Sequence, residues 1–353
     1  MPPPRPRSAA HRLLLGLLAA LAVLAVTHTG LWWFATGRLE DELTAWQAQN
    51  RAAGWTISAG APVRAGWPVA AAIVVPDLAL AGGEADLPDG LSWRAANTEL
   101  AVALLRPRQL RIRVGGQQHL RLSGLPEFAF AARQFELTLP LDPGAPTLSA
   151  ELAASGLHAA VAGGSIDIAT LALHTDSRIA AARGEEALTI TGSAEAIGLP
   201  PMQDGRPWPL GPRITSISFD AALTGPLPGA PDLATHAAAW RDGGGTLELR
   251  RLALGWGPLG LSASATMTLD EHMQPQGVAT ARMVGYDATL DTLTASGTLA
   301  PRAALAARGI LAILAKVPEG GGTPQVVLPL TLRDRTLTAG RFPLLRLPEL
   351  VWP

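Results

Sequence analysis

The seven histidines are the first residues to test for metal binding or acid–base chemistry. They are His11, His28, His119, His158, His174, His236 and His272. None lies four residues from another, the spacing that places two histidines on one helix face as metal ligands. His174 and Asp176 would share one face of a strand, but no serine in a nucleophile-elbow context accompanies them. Cysteine is absent, so we expect no catalytic residue, no metal site and no cofactor.

Three glycines match the letters of a nucleotide-binding fingerprint. Gly255, Gly257 and Gly260 have the GxGxxG spacing, which binds a dinucleotide when a strand precedes it and a helix follows. Here an alternating strand pattern follows instead, and Pro258 removes an amide that would contact phosphate. The pattern therefore predicts a hairpin turn.

Four arginines form a basic cluster. The cluster consists of Arg106, Arg108, Arg111 and Arg113. One hypothesis is contact with anionic lipid headgroups or with an acidic partner. The other is the solvent-exposed face of a single strand, because Leu110, Ile112 and Val114 would fill its opposite face.

Ten tryptophans outnumber the six phenylalanines and one tyrosine together. Trp32 and Trp33 fit the headgroup region of a membrane, which amphipathic rings prefer. Trp67, Trp93 and Trp256 fall at predicted strand starts or turns, beside or close to glycine or proline. They would either pack at the ends of a β core or line the mouth of an apolar groove that contacts lipid or a partner.

The longest apolar segment runs from Leu13 to Phe34 without a charged residue. A helix of about 22 residues spans roughly 33 Å, enough to cross a hydrocarbon core of roughly 30 Å. We therefore predict a transmembrane anchor. A cleaved signal peptide is the alternative, with 13–26 as its apolar region. The length of the segment, the tryptophan pair and the lack of a clear cleavage site favour the anchor.

Charges on either side of this segment predict its orientation. Arg5, Arg7 and Arg12 precede it, whereas Glu40 and the acidic residues next to it follow. By the positive-inside rule the N-terminus is cytoplasmic and the bulk of the chain is periplasmic. We expect a single-pass protein of the bacterial inner membrane. The net charge of −1 argues against a nucleic-acid partner.

Beyond Gly54 the hydrophobic period changes from 3.6 to 2. Short alternating strands recur at even spacing, and Leu259–Leu269 gives the clearest pattern. The phase slips at Arg250 and Arg251, which predicts a β-bulge. The fold class is mainly β (α+β), a long curled antiparallel sheet or β-groove with a few short helices. Hydrophobic residues make up 48% of the chain, so one sheet face is expected to be apolar and short of cover.

These patterns divide the chain into segments. We predict a disordered cytoplasmic N-terminus and an anchor, then a membrane-proximal helix and two β-rich halves separated by a Pro- and Gly-rich stretch. Three short helices are expected in the second half. The predicted ranges are 1–12, 13–34, 35–53, 54–200 and 213–353, with helices near 231–242, 287–296 and 301–317.

Several of these stretches carry a family resemblance. The runs Thr246–Leu269, Gln274–Gly277 and Val326–Pro348 resemble the C-terminal β motifs of AsmA-like envelope proteins. The anchor, with Gly66–Pro68, Leu91–Trp93 and Arg106–Pro107, resembles an uncharacterised, largely alphaproteobacterial family of membrane-anchored periplasmic proteins. The resemblance implies a β-rich periplasmic module on one inner-membrane helix, linked to envelope integrity and phospholipid traffic. Arg333–Arg335 lacks the glycine usual at its turn, a departure from the AsmA-like pattern.

We therefore expect a non-enzymatic protein held in the inner membrane by Leu13–Phe34. It would handle phospholipid or support envelope maintenance. The alternative is a structural or interaction module that pairs with an envelope protein through its sheet edges.

Overall fold

The structure is a computed structural model. It describes residues 9–82, 90–122, 126–141, 147–161, 163–178, 180–202, 204–227, 233–317, 321 and 323–352. Within these residues the chain forms one extended antiparallel sheet and four helices. This confirms the predicted mainly β fold with a long apolar N-terminal helix.

The first helix, α1 (Ala9–Ala52), is continuous through the predicted anchor and the predicted membrane-proximal helix. It starts before Leu13, so part of the predicted N-terminal segment is helical, and residues 1–8 lie outside the described residues. Leucine and alanine favour the helical state in its N-terminal part. Gly54 follows its end with a φ of 91°, a left-handed conformation that glycine adopts without steric cost.

The strands of the first half of the sheet follow α1. They are β1 (Thr56–Ser58), β2 (Val63–Ala65), β3 (Ala70–Gly82), β4 (Leu91–Ala103), β5 (Arg106–Leu122), β6 (Phe128–Ala131), β7 (Gln134–Pro140), β8 (Thr147–Val161), β9 (Gly164–Arg178) and β10 (Glu186–Gly198).

The second half adds the three short helices. Its elements are β11 (Arg213–Thr224), α2 (Leu233–Asp242), β12 (Leu247–Trp256), β13 (Leu259–Leu269), β14 (Pro275–Val284), α3 (Tyr286–Ala295), α4 (Pro301–Leu314), β15 (Ala315–Lys316), β16 (Gln325–Arg333), β17 (Thr336–Ala339) and β18 (Phe342–Arg346).

These strands form a meander in which most of them pair with the next one along the chain. β1 and β2 both pair with β3 along its outer side, and β6 and β7 share one position between β5 and β8. β16 pairs with β14 on one side and with β15 and β17 on the other. Among the described strands, β1 and β2 at one end of the sheet and β15 and β18 at the other have an unpaired outer side, so the sheet is open.

Local details of the second half follow the sequence pattern. The register shifts between Leu249 and Leu252, which confirms the bulge predicted at Arg250 and Arg251. Gly257 and Pro258 form the turn between β12 and β13, which confirms the hairpin at the GxGxxG letters. The three short helices, α2, α3 and α4, fall within a few residues of the predicted ranges, apart from 231–232, which lie outside the described residues.

The predicted boundary between the two halves lies in the connection from β10 to β11. These two strands pair with each other over most of their length. The sheet is therefore continuous from one half to the other.

The two faces of this sheet differ in chemistry. One row of directly paired residues crosses twelve strand positions and is apolar throughout. It consists of Ile73, Leu100, Ile112, Leu137, Leu152, Leu173, Gly192, Phe219, Leu252, Ala263, Ala281 and Leu328. Side chains paired across strands lie on one face. The row therefore defines the apolar face of the sheet.

The opposite face carries small, polar and charged residues. Its corresponding row is Glu99, Arg113, Glu136, Ala153, Ala172, Ser193, Ser218, Ala253, Ser262 and Arg282. Antiparallel sheets often have this division, with one face packed and the other solvated.

Little of the apolar face is packed as a core. The buried cluster joins Ile57, Ile73, Val75 and Leu78, and Leu39 and Leu43 of α1 pack against it. The accessible surface of the chain is 21913 Å², whereas a compact protein of 36.6 kDa would expose about 13,500 Å². The chain is thus far more extended than a compact protein of its mass, and the exposed apolar part of α1 contributes to this surface.

Candidate functional site

Three of the histidines, His119, His158 and His174, contact carboxylates on the surface of the strands. His174 Nε2 lies 2.8 Å from Asp176, on the strand face that the sequence predicted for this pair. His158 Nδ1 of β8 lies 2.7 Å from Asp167 of β9, a contact that was not predicted. The hydrogen bond with His158 lowers the pKa of Asp167. The described residues contain no group of three or more His, Asp or Glu side chains that could hold a metal ion.

The basic cluster divides into two parts. Arg111 and Arg113 lie on the polar face, where Arg113 donates to Glu136 over 2.8 Å and lies 3.4 Å from Glu99. The hydrogen bond to Glu136 raises the pKa of Arg113. Arg106 and Arg108 are exposed, and neither forms an ion pair with another residue of the described chain.

The tryptophans named from the sequence occupy three environments. Trp93 donates to Gln118 Oε1 over 3.2 Å beside the buried cluster, and Trp256 donates to the Gly211 carbonyl over 2.8 Å. Trp67 is exposed. Trp32 is half-buried beside β2, whereas Trp33 is 62% exposed, and their position at a membrane interface stays a prediction.

Contacts with β2 and the β2–β3 turn fix the orientation of α1. Trp32 Nε1 donates to the Ala65 carbonyl over 3.2 Å, and His28 Nε2 lies 2.6 Å from the Pro68 carbonyl. Thr36 is fully buried in the same contact. The sheet is thus attached along α1 from His28 onward, inside the predicted anchor.

An ion pair continues this attachment. Arg64 of β2 donates to both carboxylate oxygens of Glu40, over 2.9 and 2.7 Å, and its guanidinium lies 4.1 Å from the centre of the Trp33 ring. The hydrogen bond from Arg64 lowers the pKa of Glu40. Two independent contacts therefore hold one arginine against the helix.

Next to this attachment, two turns present exposed apolar side chains. Trp67 is 56% exposed, Val69 75% and Leu105 96%. The amide of Leu104 donates to the Val69 carbonyl over 3.2 Å, which holds the two turns together. We call Trp67, Val69 and Leu105 the tip. Its members other than Trp67 escaped notice in the sequence, because each is a single apolar residue in a short turn.

The apolar face is the second candidate surface. Helix contacts with the sheet occur at β1, β2 and β3 for α1, at the end of β11 for α2, at β13 for α3 and at β16 for α4. Between β5 and β12 the large side chains of the row, such as Leu152, Leu173 and Phe219, are half-buried. Leu141 and Leu148 are exposed. They lie at the end of β7 and the start of β8, at the same end of the strands as the tip. An apolar ligand could reach the face from this side.

Comparison with known proteins identifies a family. The model of DUF2125, described as an uncharacterized protein conserved in bacteria, matches residues 32–348. The chain belongs to this family. No curated protein and no solved structure matches the chain.

The DUF2125 match covers both candidate surfaces, the tip and the apolar face. It begins at Trp32, so it includes the attachment of α1 to β2, the tip and the apolar face, but leaves out most of the apolar segment of α1. Among the described helices, α1 is long and apolar enough to cross a membrane, with a mean hydropathy of 2.0 in its most apolar window. A single N-terminal anchor on a β-rich bacterial protein fits both observations.

Proposed function

We propose that this protein is a non-enzymatic, inner-membrane-anchored periplasmic β-protein that binds phospholipid acyl chains along its apolar face. Its role would be lipid handling or envelope maintenance. The observation that supports this most directly is the unbroken apolar row, which is only half-buried between β5 and β12, on a sheet attached to a candidate membrane helix.

The dimensions of the face suit acyl chains. From β5 to β12 the sheet covers about six strand spacings, or roughly 29 Å at ~4.8 Å each. The hydrocarbon core of a bilayer is roughly 30 Å thick and contains two layers of chains, so one chain extends over about 15 Å. The face is therefore wide enough for chains to lie across several strands.

The chemistry of the face also favours a non-polar ligand. Transfer of its leucine and phenylalanine side chains from water is favourable by about 25 cal/mol per Å². Gly192 leaves a gap in the row that the ring of Phe219 covers from the neighbouring strand. The surface is continuous as a result, without a polar interruption to repel a chain.

Orientation and resemblance support the cellular location. Arginines precede the anchor and carboxylates follow it, which supports a periplasmic location for the sheet by the positive-inside rule. The resemblance of the C-terminal strands to AsmA-like proteins supports a link to phospholipid traffic. This part of the proposal is an analogy at the level of the fold.

The test uses native mass spectrometry and lipid extraction on the full chain purified in detergent. The double variant Leu152→Gln with Leu173→Gln changes two paired residues of the apolar face. The matched control, Ala153→Gln with Ala172→Gln, changes the adjacent pair on the polar face of the same strands. We expect phospholipid on the native protein and the control, and several-fold less on the apolar-face variant.

A photocrosslinking residue at position 173 gives a second measurement that does not depend on the stability of the double variant. We expect a crosslink to phospholipid from position 173 and none from position 172. Absence of phospholipid from the native protein together with no crosslink at position 173 would refute lipid binding by this face.

The alternative function rests on the edge strand β18. Phe342, Leu344 and Leu345 are exposed there, and no described strand pairs with its outer side. Such an edge can add a strand from an envelope protein. Crosslinks from position 344 to a protein, with no lipid at position 173, would favour this module.

A further inference from the structure

We infer that the tip is inserted into the bilayer interface beside α1, so that the protein meets its membrane through both a helix and the end of its sheet. The bound surface is a membrane that contains anionic phospholipid. This inference does not depend on lipid binding by the apolar face.

The depth of the tip follows from its contacts with α1. Pro68, between Trp67 and Val69, lies against His28, and Ala65 lies against Trp32. Phe34 is the last residue of the apolar segment, and a helix rises ~1.5 Å per residue, so His28 is about 9 Å below that end. A span that ended at Phe34 would place the β2–β3 turn inside the membrane boundary.

A shorter span leads to the same position. If the hydrocarbon core ended just before His28, the segment from Leu13 would cover roughly 22 Å, less than the roughly 30 Å required. The outer boundary of the core therefore lies at or beyond His28. If the boundary lies at His28, the turn attached to His28 is at the interface. If the boundary lies beyond His28, the turn is inside the membrane.

The side chains of the tip match that environment. Val69 and Leu105 are 75% and 96% exposed, so neither packs against the rest of the described chain. Trp67 has an amphipathic ring, which favours the headgroup region. Three apolar side chains at the end of two adjoining turns form a surface that water does not favour.

Charge next to the tip indicates the type of lipid. Arg106 follows Leu105 directly, and its strand position pairs with Ala103, which in turn pairs with Ala70 beside Val69. Arg106 and Arg108 are exposed and form no ion pair within the described chain. Arginines at this level favour anionic headgroups.

The experiment exploits the absence of cysteine from the chain. Single cysteines replace Val69 or Leu105 in the full chain, and each carries an NBD fluorophore. Gln117→Cys is the control, because Gln117 is exposed on β5 about 11 residues beyond Arg106, or roughly 36 Å along the strand. All three positions are exposed, so the substitutions remove little packing.

The labelled proteins are reconstituted into vesicles of phosphatidylethanolamine and phosphatidylglycerol. We expect NBD emission at shorter wavelength, and quenching by a spin-labelled lipid, at positions 69 and 105, with a water-like signal at position 117. A water-like signal at either tip position would overturn the inference. Phospholipid bound elsewhere on the sheet does not change these readouts, so failure here and failure of the proposed function are distinguishable.

Discussion

Arg64 shows how one residue can set the angle between a helix and a sheet. It binds Glu40 through both carboxylate oxygens while its guanidinium covers the Trp33 ring. A planar guanidinium can make both contacts at once, which an ammonium group cannot. The side chains of Arg64 and Glu40 are half-buried in the attachment of α1. The direction of the helix relative to β2 depends on this pair.

Replacement of Glu40 by glutamine is expected to lower the midpoint of thermal unfolding in detergent by a few degrees at neutral pH. The hydrogen bond from Arg64 lowers the folded-state pKa of Glu40 below its value in the unfolded chain. The stabilisation is therefore present above the unfolded-state pKa and is lost as the pH falls through the folded-state pKa. Acidification should destabilise Glu40→Gln less than the native protein.

The matched control for this prediction is Glu42→Gln on the same helix. Glu42 lies 3.6 Å from Arg38 in an exposed i,i+4 pair, and such pairs contribute little. Its midpoint should stay close to that of the native protein. Equal effects of the two substitutions would show that the Arg64–Glu40 pair does not stabilise the attachment.

At the scale of elements, the hairpin between β16 and β17 contains local strain. Asp334 and Arg335 both have positive φ, 49° and 62°, as the two central residues of a type I′ turn do. Asparagine and glycine are preferred at these two positions. Arg335 therefore occupies a position of the turn at which glycine is preferred. Arg335 also lies 3.1 Å from Glu349.

Arg335→Gly is expected to be more stable than Arg335→Ala by about 1 kcal/mol, because glycine avoids the left-handed penalty of roughly 1–2 kcal/mol at the expense of some chain entropy. Both variants lose the ion pair with Glu349, so the comparison isolates the backbone. Urea-unfolding midpoints of the full chain in detergent measure the difference. If Arg335→Ala were more stable than Arg335→Gly, the backbone at position 335 would not be strained.

Much of this element structure could be predicted from local pattern. The strict alternation of Leu259–Leu269 predicted β13, and the phase slip at Arg250 predicted its bulge, because a strand has a side-chain period of two. The face of Arg113 followed from its own strand. Its partners, Glu99 and Glu136, could not be predicted in this way, because they lie on neighbouring strands whose register is not encoded in the strand of Arg113.

The candidate surfaces divide in the same way. An apolar face was expected from alternation, but its continuity over twelve strand positions depends on registers that no single strand encodes. The tip was not predicted, since the hydrogen bond between His28 and Pro68 joins residues 40 positions apart. Leu105 is inconspicuous in the sequence and joins the tip only because the Leu104 amide donates to the Val69 carbonyl of the neighbouring turn.

At the scale of the whole molecule, stability is expected to be uneven. Each strand of the meander contacts mainly its neighbours, as repeats do in a solenoid. The buried cluster lies at one end, where α1 packs on β1 and β3. Amides of β3 and β4 should therefore exchange with solvent most slowly, and those between β8 and β11 faster, because local opening is easier where few side chains are buried.

Two substitutions in the same apolar row test this gradient. Ile73 is 0% exposed, so Ile73→Ala creates a cavity and should cost about 2–5 kcal/mol. Leu173 is only half-buried, so Leu173→Ala should cost about 1 kcal/mol, since part of its side chain is already in water.

Hydrogen exchange on the full chain in lipid-free detergent should show that Ile73→Ala accelerates exchange in β3, β4 and α1. Leu173→Ala should change only β8 to β10. Equal costs, with exchange accelerated throughout the sheet by both substitutions, would mean that the sheet unfolds as one cooperative unit and that its middle is as well packed as its α1 end.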